Sequence, residues 1–240
     1  MAEISYHHPY HIGADASLTE PQIRQLTACF EKPGTMGNGV LGGRAGVTSI
    51  DLPDVGPVIV KNYTRGGLIR HVNRRTYLKL SKFRCESEFF LLKYLSGIGV
   101  NAPEPVAFAY RFKYMGHRLY HAWIVTREIE NAVTLARLSI QAPDRARAAM
   151  GELMRQVAVL VDNTIHHVDL HPGNVLVDMH NRIFLIDFDK ARTAPQNRNQ
   201  LREKYINRWR RAVAKHHLPE TILALAPLTH SDRPAGGSGA

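Results

Sequence analysis

A short polar segment, residues 167–174, carries the residue types that chemistry on a hydroxyl group requires. It reads H-V-D-L-H-P-G-N, which has the H-x-D-L-x-x-x-N spacing of a phosphotransferase catalytic loop. At this spacing Asp169 is predicted to accept the proton of an attacking hydroxyl. Asn174 is predicted to bind Mg²⁺ through its amide oxygen, because Mg²⁺ prefers oxygen ligands.

A second acidic position follows an apolar stretch further along the chain. Residues 185–189 read L-I-D-F-D, and Asp187 is suited to bridge Mg²⁺ to the phosphates of ATP. A simpler interpretation makes Asp169 and Asn174 turn residues and Asp187 a strand-end cap. A zinc site is a further alternative, although it leaves Asn174 and Asp187 without a role; its ligands would be Asp169 with two of His166, His167 and His171.

A glycine-rich segment is a candidate for cradling the phosphates of ATP. Residues 37–42 read G-N-G-V-L-G, and Gly37, Gly39 and Gly42 would let backbone N–H groups approach a phosphate closely. A dinucleotide-binding fold would place a helix after this pattern. A strand-like segment, residues 47–50, follows instead, which favours a kinase hairpin.

A lysine at a predicted strand end is the candidate for contacting the α- and β-phosphates. Residues 58–61 read V-I-V-K, and Lys61 would act there in an ion pair with a carboxylate on the next helix. Glu88 is the favoured partner because the other face of its helix is apolar, and Glu86 is the alternative. A solvated lysine is the commoner structure for any single lysine at a strand end.

The predicted elements fall into a β-rich half followed by an α-rich half. This order predicts an α+β, protein-kinase-like two-lobed fold with a β-rich N-lobe and a helical C-lobe. The proposed divisions are an extension (1–30), an ATP-binding N-lobe (31–126), a catalytic C-lobe (127–230) and a disordered tail (231–240). Strands are predicted at 47–50, 58–61, 106–110, 122–126, 175–177 and 183–186, and helices at 21–30, 84–96, 144–163 and 200–216.

The charge of the chain predicts an anionic partner. The 240 residues include 31 Lys+Arg and 21 Asp+Glu, for a net charge of +10. The basic residues cluster between positions 55 and 85, where no acidic residue occurs, and again between 198 and 215. With two cysteines, no apolar leader and no bilayer-length apolar stretch, a reducing cytoplasmic setting is expected.

Other classes of protein fit these observations less well. A protein kinase needs an activation segment and a peptide platform, whereas Asp187 is followed by F-D and no A-P-E motif. A pseudokinase would not need the full set of Lys61, Asp169, Asn174 and Asp187. A nucleic-acid binder is disfavoured because no recognised motif is present and few aromatic residues interleave the basic runs.

Beyond these motifs, the chain resembles the lipopolysaccharide kinase family, and within it the kinases of 3-deoxy-D-manno-octulosonic acid (Kdo). The resemblance covers about residues 35–215. Its specific part is the Y-x-R-G-G segment that begins at Tyr63. The catalytic loop is shared with many kinases, and its H-P-G form also occurs in aminoglycoside and choline kinases. The matching segments are 62–68, 84–92, 99–105, 124–130 and 186–190.

The resemblance implies ATP and Mg²⁺ as cofactors and an anionic glycolipid, the Kdo of a lipid A precursor, as acceptor. A core heptose kinase or another small-molecule kinase is the alternative, since Lys61 stands where Kdo kinases have Arg or another base. The enzyme would lie peripherally on the cytoplasmic face of the inner membrane. The acceptor-side candidates are Arg65, Arg70, Arg74, Arg75 and His171.

Overall fold

The computed structural model describes residues 2–31, 47–63, 77–78, 83–113, 119–193 and 197–223. The chain divides into two units. The first comprises Met1–Tyr94 with Pro103–Ile129, and the second comprises Leu95–Ala102 with Glu130–Ala240. An antiparallel sheet dominates the first unit, and helices with short strand pairs form the second. The predicted α+β class is therefore confirmed.

A seven-stranded sheet organises the first unit. Its strands are β1 (Glu3–His7), β2 (Tyr10–Ala14), β3 (Val47–Leu52), β4 (Gly56–Asn62), β5 (Tyr77–Leu78), β6 (Pro105–Phe112) and β7 (Leu119–Arg127). The strand order is β1-β2-β6-β7-β4-β3, and β5 pairs with β7. All neighbouring strands are antiparallel. The four strands predicted for this part of the chain are present.

The β3–β4 hairpin positions the candidate nucleotide lysine. Its turn uses left-handed backbone at Asp54, with φ 60°, and at Gly56, with φ 89°, conformations that aspartate tolerates and glycine adopts freely. Along β4, Val58 and Val60 are buried in the core. Because side chains alternate along a strand, Lys61 lies on the opposite face from these valines.

The N-terminal residues belong to the sheet unit. Helix α1 (Glu20–Glu31) packs Leu26 and Phe30 into the same core as β4, and Phe30 stacks on Trp123. Strand β2 pairs with β6 at a close approach that only glycine allows, since a Cβ at Gly13 would lie 2.2 Å from the Phe108 ring. The helix was predicted from the sequence, whereas β1 and β2 were not.

Helix α2 (Arg84–Gly97) carries the carboxylate expected to pair with Lys61. It begins after Phe83, whose carbonyl accepts hydrogen bonds from the backbone N–H and the hydroxyl of Ser87. Phe89 and Leu92 are buried, and left-handed Gly99, with φ 77°, follows the last turn. The helix predicted at 84–96 is confirmed, and its packing leaves Glu88 only 5% exposed.

In its described residues, the second unit combines the helices α3, α4 and α5 with short strands. Strands β8, β10 and β11 form one sheet, and β9 pairs with β12. The predicted β10–β11 hairpin and the two predicted long helices, α4 and α5, are present, whereas α3 was not predicted. The bounds are α3 (Leu135–Gln141), α4 (Pro143–Asp162), α5 (Arg198–Lys215), β8 (Val133–Thr134), β9 (Ile165–His166), β10 (Val175–Val177), β11 (Ile183–Leu185) and β12 (Arg192–Thr193).

The apolar stripe of α5 packs inside the second unit. Leu201, Tyr205, Trp209 and Val213 are all buried. The Tyr205 hydroxyl donates to the Ile165 carbonyl at 2.8 Å, and the Trp209 indole N–H donates to a backbone carbonyl at 2.7 Å. The stripe is thus part of the core of the second unit, and the charged residues of α5 lie on the other faces of the helix. Among the described residues, no helix has both the length and the apolar character that crossing a bilayer requires.

Candidate active site

The predicted catalytic loop is tied to two neighbouring elements of the second unit. The backbone N–H of His167 donates to the Tyr205 hydroxyl of α5 at 2.8 Å. The buried imidazole of His167 lies with Nε2 2.9 Å from the Ile186 carbonyl. Because a carbonyl only accepts, Nε2 carries the proton, and burial lowers the pKa of His167 so that the ring is neutral. His167 therefore joins the loop to the residue that precedes Asp187.

The β10–β11 hairpin brings the two predicted magnesium ligands together. Val175 pairs with Leu185, and one step further the Ile186 N–H donates to the Asn174 carbonyl at 3.0 Å. The Asn174 amide group donates from Nδ2 to the Asp169 carbonyl at 3.0 Å. This bond fixes the orientation of the amide and turns its Oδ1 away from that carbonyl.

Asp187 has an unusual backbone conformation. Its φ is 68°, in the left-handed region that few residues other than glycine adopt and that aspartate tolerates better than most. Such conformations cost free energy and concentrate at functional sites. The backbone at Asp187 is thus consistent with a carboxylate held in place for a ligand.

Asp169 is held between two cations. The Arg208 guanidinium of α5 donates from Nη2 to Asp169 Oδ1, and the Lys190 ammonium lies 3.9 Å from Oδ2. Burial raises the pKa of Asp169, but the hydrogen bond and charge of Arg208, with the charge of Lys190, hold this pKa below its usual range. Asp169 is therefore a carboxylate at neutral pH, able to accept a hydrogen bond from a hydroxyl.

His171 caps the short 3₁₀ turn Pro172–Asn174 that leads to the hairpin. Its Nδ1 accepts a hydrogen bond from the Gly173 N–H at 3.1 Å, so the ring proton is on Nε2. Burial is the largest cause that lowers the pKa of His171, against the raising effect of the Asp169 charge. A neutral imidazole with an N–H donor thus lies beside Asp169.

The turn of the β10–β11 hairpin has an anchor that the sequence analysis missed. Buried Asp178 accepts backbone N–H bonds at 2.9 Å from His180 and Arg182, and an Arg182 Nε bond at 2.6 Å. Arg145 of α4 donates to the Asp178 carbonyl and to Asn181. These bonds stabilise the hairpin whose open end carries Asn174 and Asp187. The sequence signal that could have predicted this anchor was an aspartate just before the H-N turn.

The candidate phosphate-holding lysine forms an ion pair within the first unit. Lys61 Nζ lies 3.2 Å from Oε1 and 3.3 Å from Oε2 of Glu88. Glu88, rather than Glu86, is thus the carboxylate that contacts Lys61. The Tyr63 hydroxyl also donates to Glu88 Oε2, and Lys61 lies 5.2 Å from the centre of the Tyr63 ring. Tyr63 is a further member of this cluster that sequence analysis did not assign.

The donor set at the open end of the hairpin suits Mg²⁺. In the parts of the chain that the structure describes, no three His, Cys, Asp or Glu side chains group to hold a metal ion. Asn174 and Asp187 offer an amide oxygen and a carboxylate. Mg²⁺ is commonly bound by one or two protein oxygens, with water and phosphate oxygens completing its octahedron. The two residues therefore fit a magnesium–nucleotide complex.

Several predicted site residues lie outside the described residues. They include the glycines expected to cradle phosphate and most of the acceptor-side arginines. Their assignments remain predictions. These residues are Gly37, Gly39, Gly42, Arg65, Arg70, Arg74 and Arg75.

The Lys61–Glu88 pair leads to a prediction. Lys61→Met and Glu88→Gln should each lower kcat/KM by on the order of 10- to 100-fold, the effect of losing a charge-assisted hydrogen bond. Because the two side chains contact each other, the double variant should lose much less than the product of the single losses. Steady-state kinetics with varied ATP would measure all three variants.

Tyr63→Phe serves as a third arm of that experiment. It removes only the hydroxyl that contacts Glu88, so it should raise KM for ATP in the wild-type background and have little effect when Glu88 is already Gln. Glu86→Gln is the matched control and should behave like the wild type. Strictly additive effects of the Lys61 and Glu88 changes would exclude a functional pair.

The fold has a solved counterpart among the kinases. The structure resembles that of "WaaP in complex with acyl carrier protein", with a TM-score of 0.52 at 19% identity, over 86% of this chain and 87% of that chain. At this identity the similarity concerns the fold alone. The predicted protein-kinase-like fold is thereby confirmed, and with the family relationship below it defines the chain as a phosphotransferase.

Sequence comparisons identify the family. The model of the lipopolysaccharide kinase (Kdo/WaaP) family matches residues 41–224, so the chain belongs to this family. A protein of Photobacterium profundum named 3-deoxy-D-manno-octulosonic acid kinase is 33% identical over 196 residues, 78% of this chain and 79% of that protein. The resemblance inferred from the sequence is therefore confirmed.

Two further relatives carry the same name. The protein of Vibrio vulnificus (strain CMCP6) is 29% identical over 231 residues, 92% of this chain and 89% of the relative. That of Xanthomonas axonopodis pv. citri (strain 306) is 30% identical over 202 residues, 81% and 78% of the two chains. The similarity thus extends over most of this chain and most of the relative in each comparison.

Proposed function

We propose that this protein transfers the γ-phosphoryl group of ATP to a hydroxyl of 3-deoxy-D-manno-octulosonic acid on a lipid A precursor. The observation that carries the proposal is the hairpin arrangement in which hydrogen bonds join Asn174 to Asp169 and to Ile186, the residue before Asp187. The names of the relatives support the choice of acceptor. The reaction forms a phosphorus–oxygen bond to the sugar and breaks the one to ADP.

Each described site residue has a separate task in this reaction. Lys61, held by Glu88, would contact the α- and β-phosphates. Asn174 and Asp187 would hold Mg²⁺, which supplies positive charge against the negative charge of the phosphates. Asp169 would orient the attacking hydroxyl and accept its proton as the new bond forms. Neutral His171 would donate a hydrogen bond to the acceptor beside Asp169.

The test is an ATP-consumption assay with the purified full-length chain and three acceptors: Kdo-lipid A, heptosylated core and a generic protein. Only Kdo-lipid A is expected to stimulate ADP release. Preference for the heptosylated core would assign the protein to core heptose phosphorylation. Stimulation by the protein alone would contradict the proposal, and mass spectrometry of the product would locate the added phosphate.

We also propose that the protein binds the inner membrane peripherally, at its cytoplasmic face. Support comes from the net charge of +10 and from α5, whose buried stripe leaves a row of cations in solvent. Basic residues near an anionic leaflet contribute about 1 kcal/mol each. The exposed cations of this helix are Arg198, Lys204, Arg210, Arg211 and Lys215.

Vesicle binding is expected to depend on charge and on salt. The protein should sediment with anionic but not neutral vesicles, and raising salt from about 50 to about 500 mM should release it, because the screening length falls several-fold. Changing Arg210 and Arg211 together to Gln, or Arg70, Arg74 and Arg75 to Gln, should weaken binding. The charge-preserving Arg210→Lys, Arg211→Lys control should bind normally. Salt-independent binding would refute the electrostatic explanation.

A further inference from the structure

Arg208 is a cation at the candidate active site that neither the reaction described above nor the family relationship assigns a role. It contacts Asp169, the proposed base, through Nη2. Both side chains remain partly open to solvent, with 34% of Arg208 and 31% of Asp169 exposed. An incoming acceptor that reaches the Asp169 carboxylate would therefore meet the Arg208 guanidinium as well.

The packing of α5 holds Arg208 in this position. Tyr205 and Trp209 of the same helix are buried and hydrogen-bonded through their polar atoms. Tyr205 also accepts a bond from the catalytic loop itself, from His167 N–H. The helix can neither rotate nor slide without breaking these bonds, so Arg208 projects toward Asp169 from a rigid support. By contrast, Arg210 on the same helix is exposed.

The Arg208 guanidinium has hydrogen-bond donors that its contact with Asp169 does not use. An arginine carries five N–H groups in a planar fork, and within the described part of the chain the recorded bond of Arg208 uses only the Nη2 group. Because Nη2 carries two N–H groups, its second N–H, together with the N–H of Nε or of Nη1 beside it, can bind a planar anion on the side that Asp169 does not occupy. Such a pair of parallel N–H groups matches the two oxygens of a carboxylate, which the ammonium group of a lysine cannot do.

The acceptor proposed above supplies such an anion. The relatives act, by their name, on a sugar acid, and an acid carries a carboxylate on the same sugar as its hydroxyls. When that sugar leaves water to place a hydroxyl at Asp169, its carboxylate needs a nearby cation, or the loss of hydration opposes binding. The described cations beside Asp169 are Arg208 and Lys190.

We propose that Arg208 is the residue that selects a sugar acid: the N–H groups that Asp169 does not use bind the acceptor carboxylate, while one N–H of Nη2 keeps the Asp169 carboxylate beside the reacting hydroxyl. This inference rests on the proposed function and adds the chemical basis of acceptor choice. It makes Arg208 a substrate-binding residue in addition to a support for Asp169. Lys190, a flexible point charge 3.9 Å from Asp169, is the competing candidate.

The kinetic test pairs a change in the enzyme with a change in the acceptor. Wild type, Arg208→Gln, Arg208→Lys, Lys190→Gln and the control Arg147→Gln, an exposed arginine of α4, would be assayed with the sugar-acid glycolipid and with its carboxamide. Arg208→Gln should lower kcat/KM for the acid by on the order of 10- to 100-fold, the effect of losing a charge-assisted hydrogen bond, with KM for ATP unchanged. Arg208→Lys should recover only part of this loss.

The carboxamide separates acceptor binding from support of Asp169. Wild type should lose a similar factor on the carboxamide, and Arg208→Gln should add little to that loss, because the same contact is already absent. If Arg208→Gln lowers the rates with both acceptors equally, the arginine only supports Asp169 and the inference is overturned. If instead Lys190→Gln lowers kcat/KM for the acid but adds little to the loss with the carboxamide, Lys190 binds the carboxylate and the inference is likewise overturned.

Direct binding distinguishes failure of this inference from failure of the proposed function. Titration calorimetry with free 3-deoxy-D-manno-octulosonic acid would compare wild type with the Arg208 and Arg147 variants. Weaker binding by Arg208→Gln alone supports the carboxylate site even if no phosphate is transferred. Equal binding by all variants overturns the site while leaving the kinase activity intact. No binding by the wild type, together with no turnover, contradicts both proposals.

Discussion

Replacing Asp169 by asparagine is expected to lower kcat by about 10²- to 10⁴-fold, the usual contribution of a general base. Asparagine keeps the size of the side chain but cannot take the proton of a hydroxyl. The substitution leaves the proposed nucleotide and magnesium ligands unchanged, so the affinity for nucleotide should change little. Pre-steady-state kinetics with the glycolipid acceptor would measure the rate of transfer, and calorimetry with a non-hydrolysable ATP analogue would measure the affinity.

The control for this variant is Asp144→Asn, which neutralises a carboxylate at the start of α4 that is 96% exposed. It should retain wild-type kcat. Thermal unfolding of both variants tests whether loss of the Arg208 partner disturbs the fold. Near-wild-type kcat in Asp169→Asn would remove Asp169 from the role of base. A loss of ATP affinity as large as the loss of kcat would assign it to nucleotide binding.

Replacing Asp187 by asparagine should abolish both turnover and the dependence of nucleotide binding on Mg²⁺. A metal ion contributes several kcal/mol of transition-state stabilisation, so kcat should fall on the order of 10³-fold or more. Asparagine tolerates the left-handed backbone that Asp187 adopts, so the change removes charge without adding backbone strain. Nucleotide affinity would be titrated with Mg²⁺ and with EDTA in excess.

Wild-type affinity is expected to fall when EDTA is added, whereas Asp187→Asn should show the same weak affinity in both conditions. Asp187→Ala would add strain, because alanine disfavours φ near 68°, and should therefore unfold at a lower temperature than Asp187→Asn. Asp144→Asn again serves as the matched control. If the nucleotide affinity of a variant at position 187 still falls when EDTA removes Mg²⁺, this residue is excluded as a metal ligand.

Much of the fold followed from local sequence pattern. Periodicity identified α2, α4 and α5, because each carries an apolar face whose spacing is set by the helix turn itself. The β3–β4 and β10–β11 hairpins followed from apolar runs separated by turn residues. The N-terminal strands β1 and β2 did not, because His7, His8 and His11 interrupt their short apolar pattern, and β2 takes its position from its pairing with β6.

Local sequence pattern alone could not decide which glutamate pairs with Lys61. Glu86 and Glu88 are two residues apart, so on a helix they point in directions roughly 200° apart. Only the packed position of α2 decides which of them meets the lysine, and it is Glu88. The Tyr63 hydroxyl joins the pair for the same reason, since its contact depends on where β4 passes the helix.

By itself the sequence determined the candidate site residues, Asp169, Asn174 and Asp187, and their spacing, because short motifs predict these chemical roles. It also determined the family. Tertiary structure alone decided that Arg208 meets Asp169: the two are 39 positions apart, and their contact depends on how α5 packs against the loop through Tyr205. Long-range contacts of this kind arise from burial of the apolar stripe, which local spacing identifies without specifying its partner.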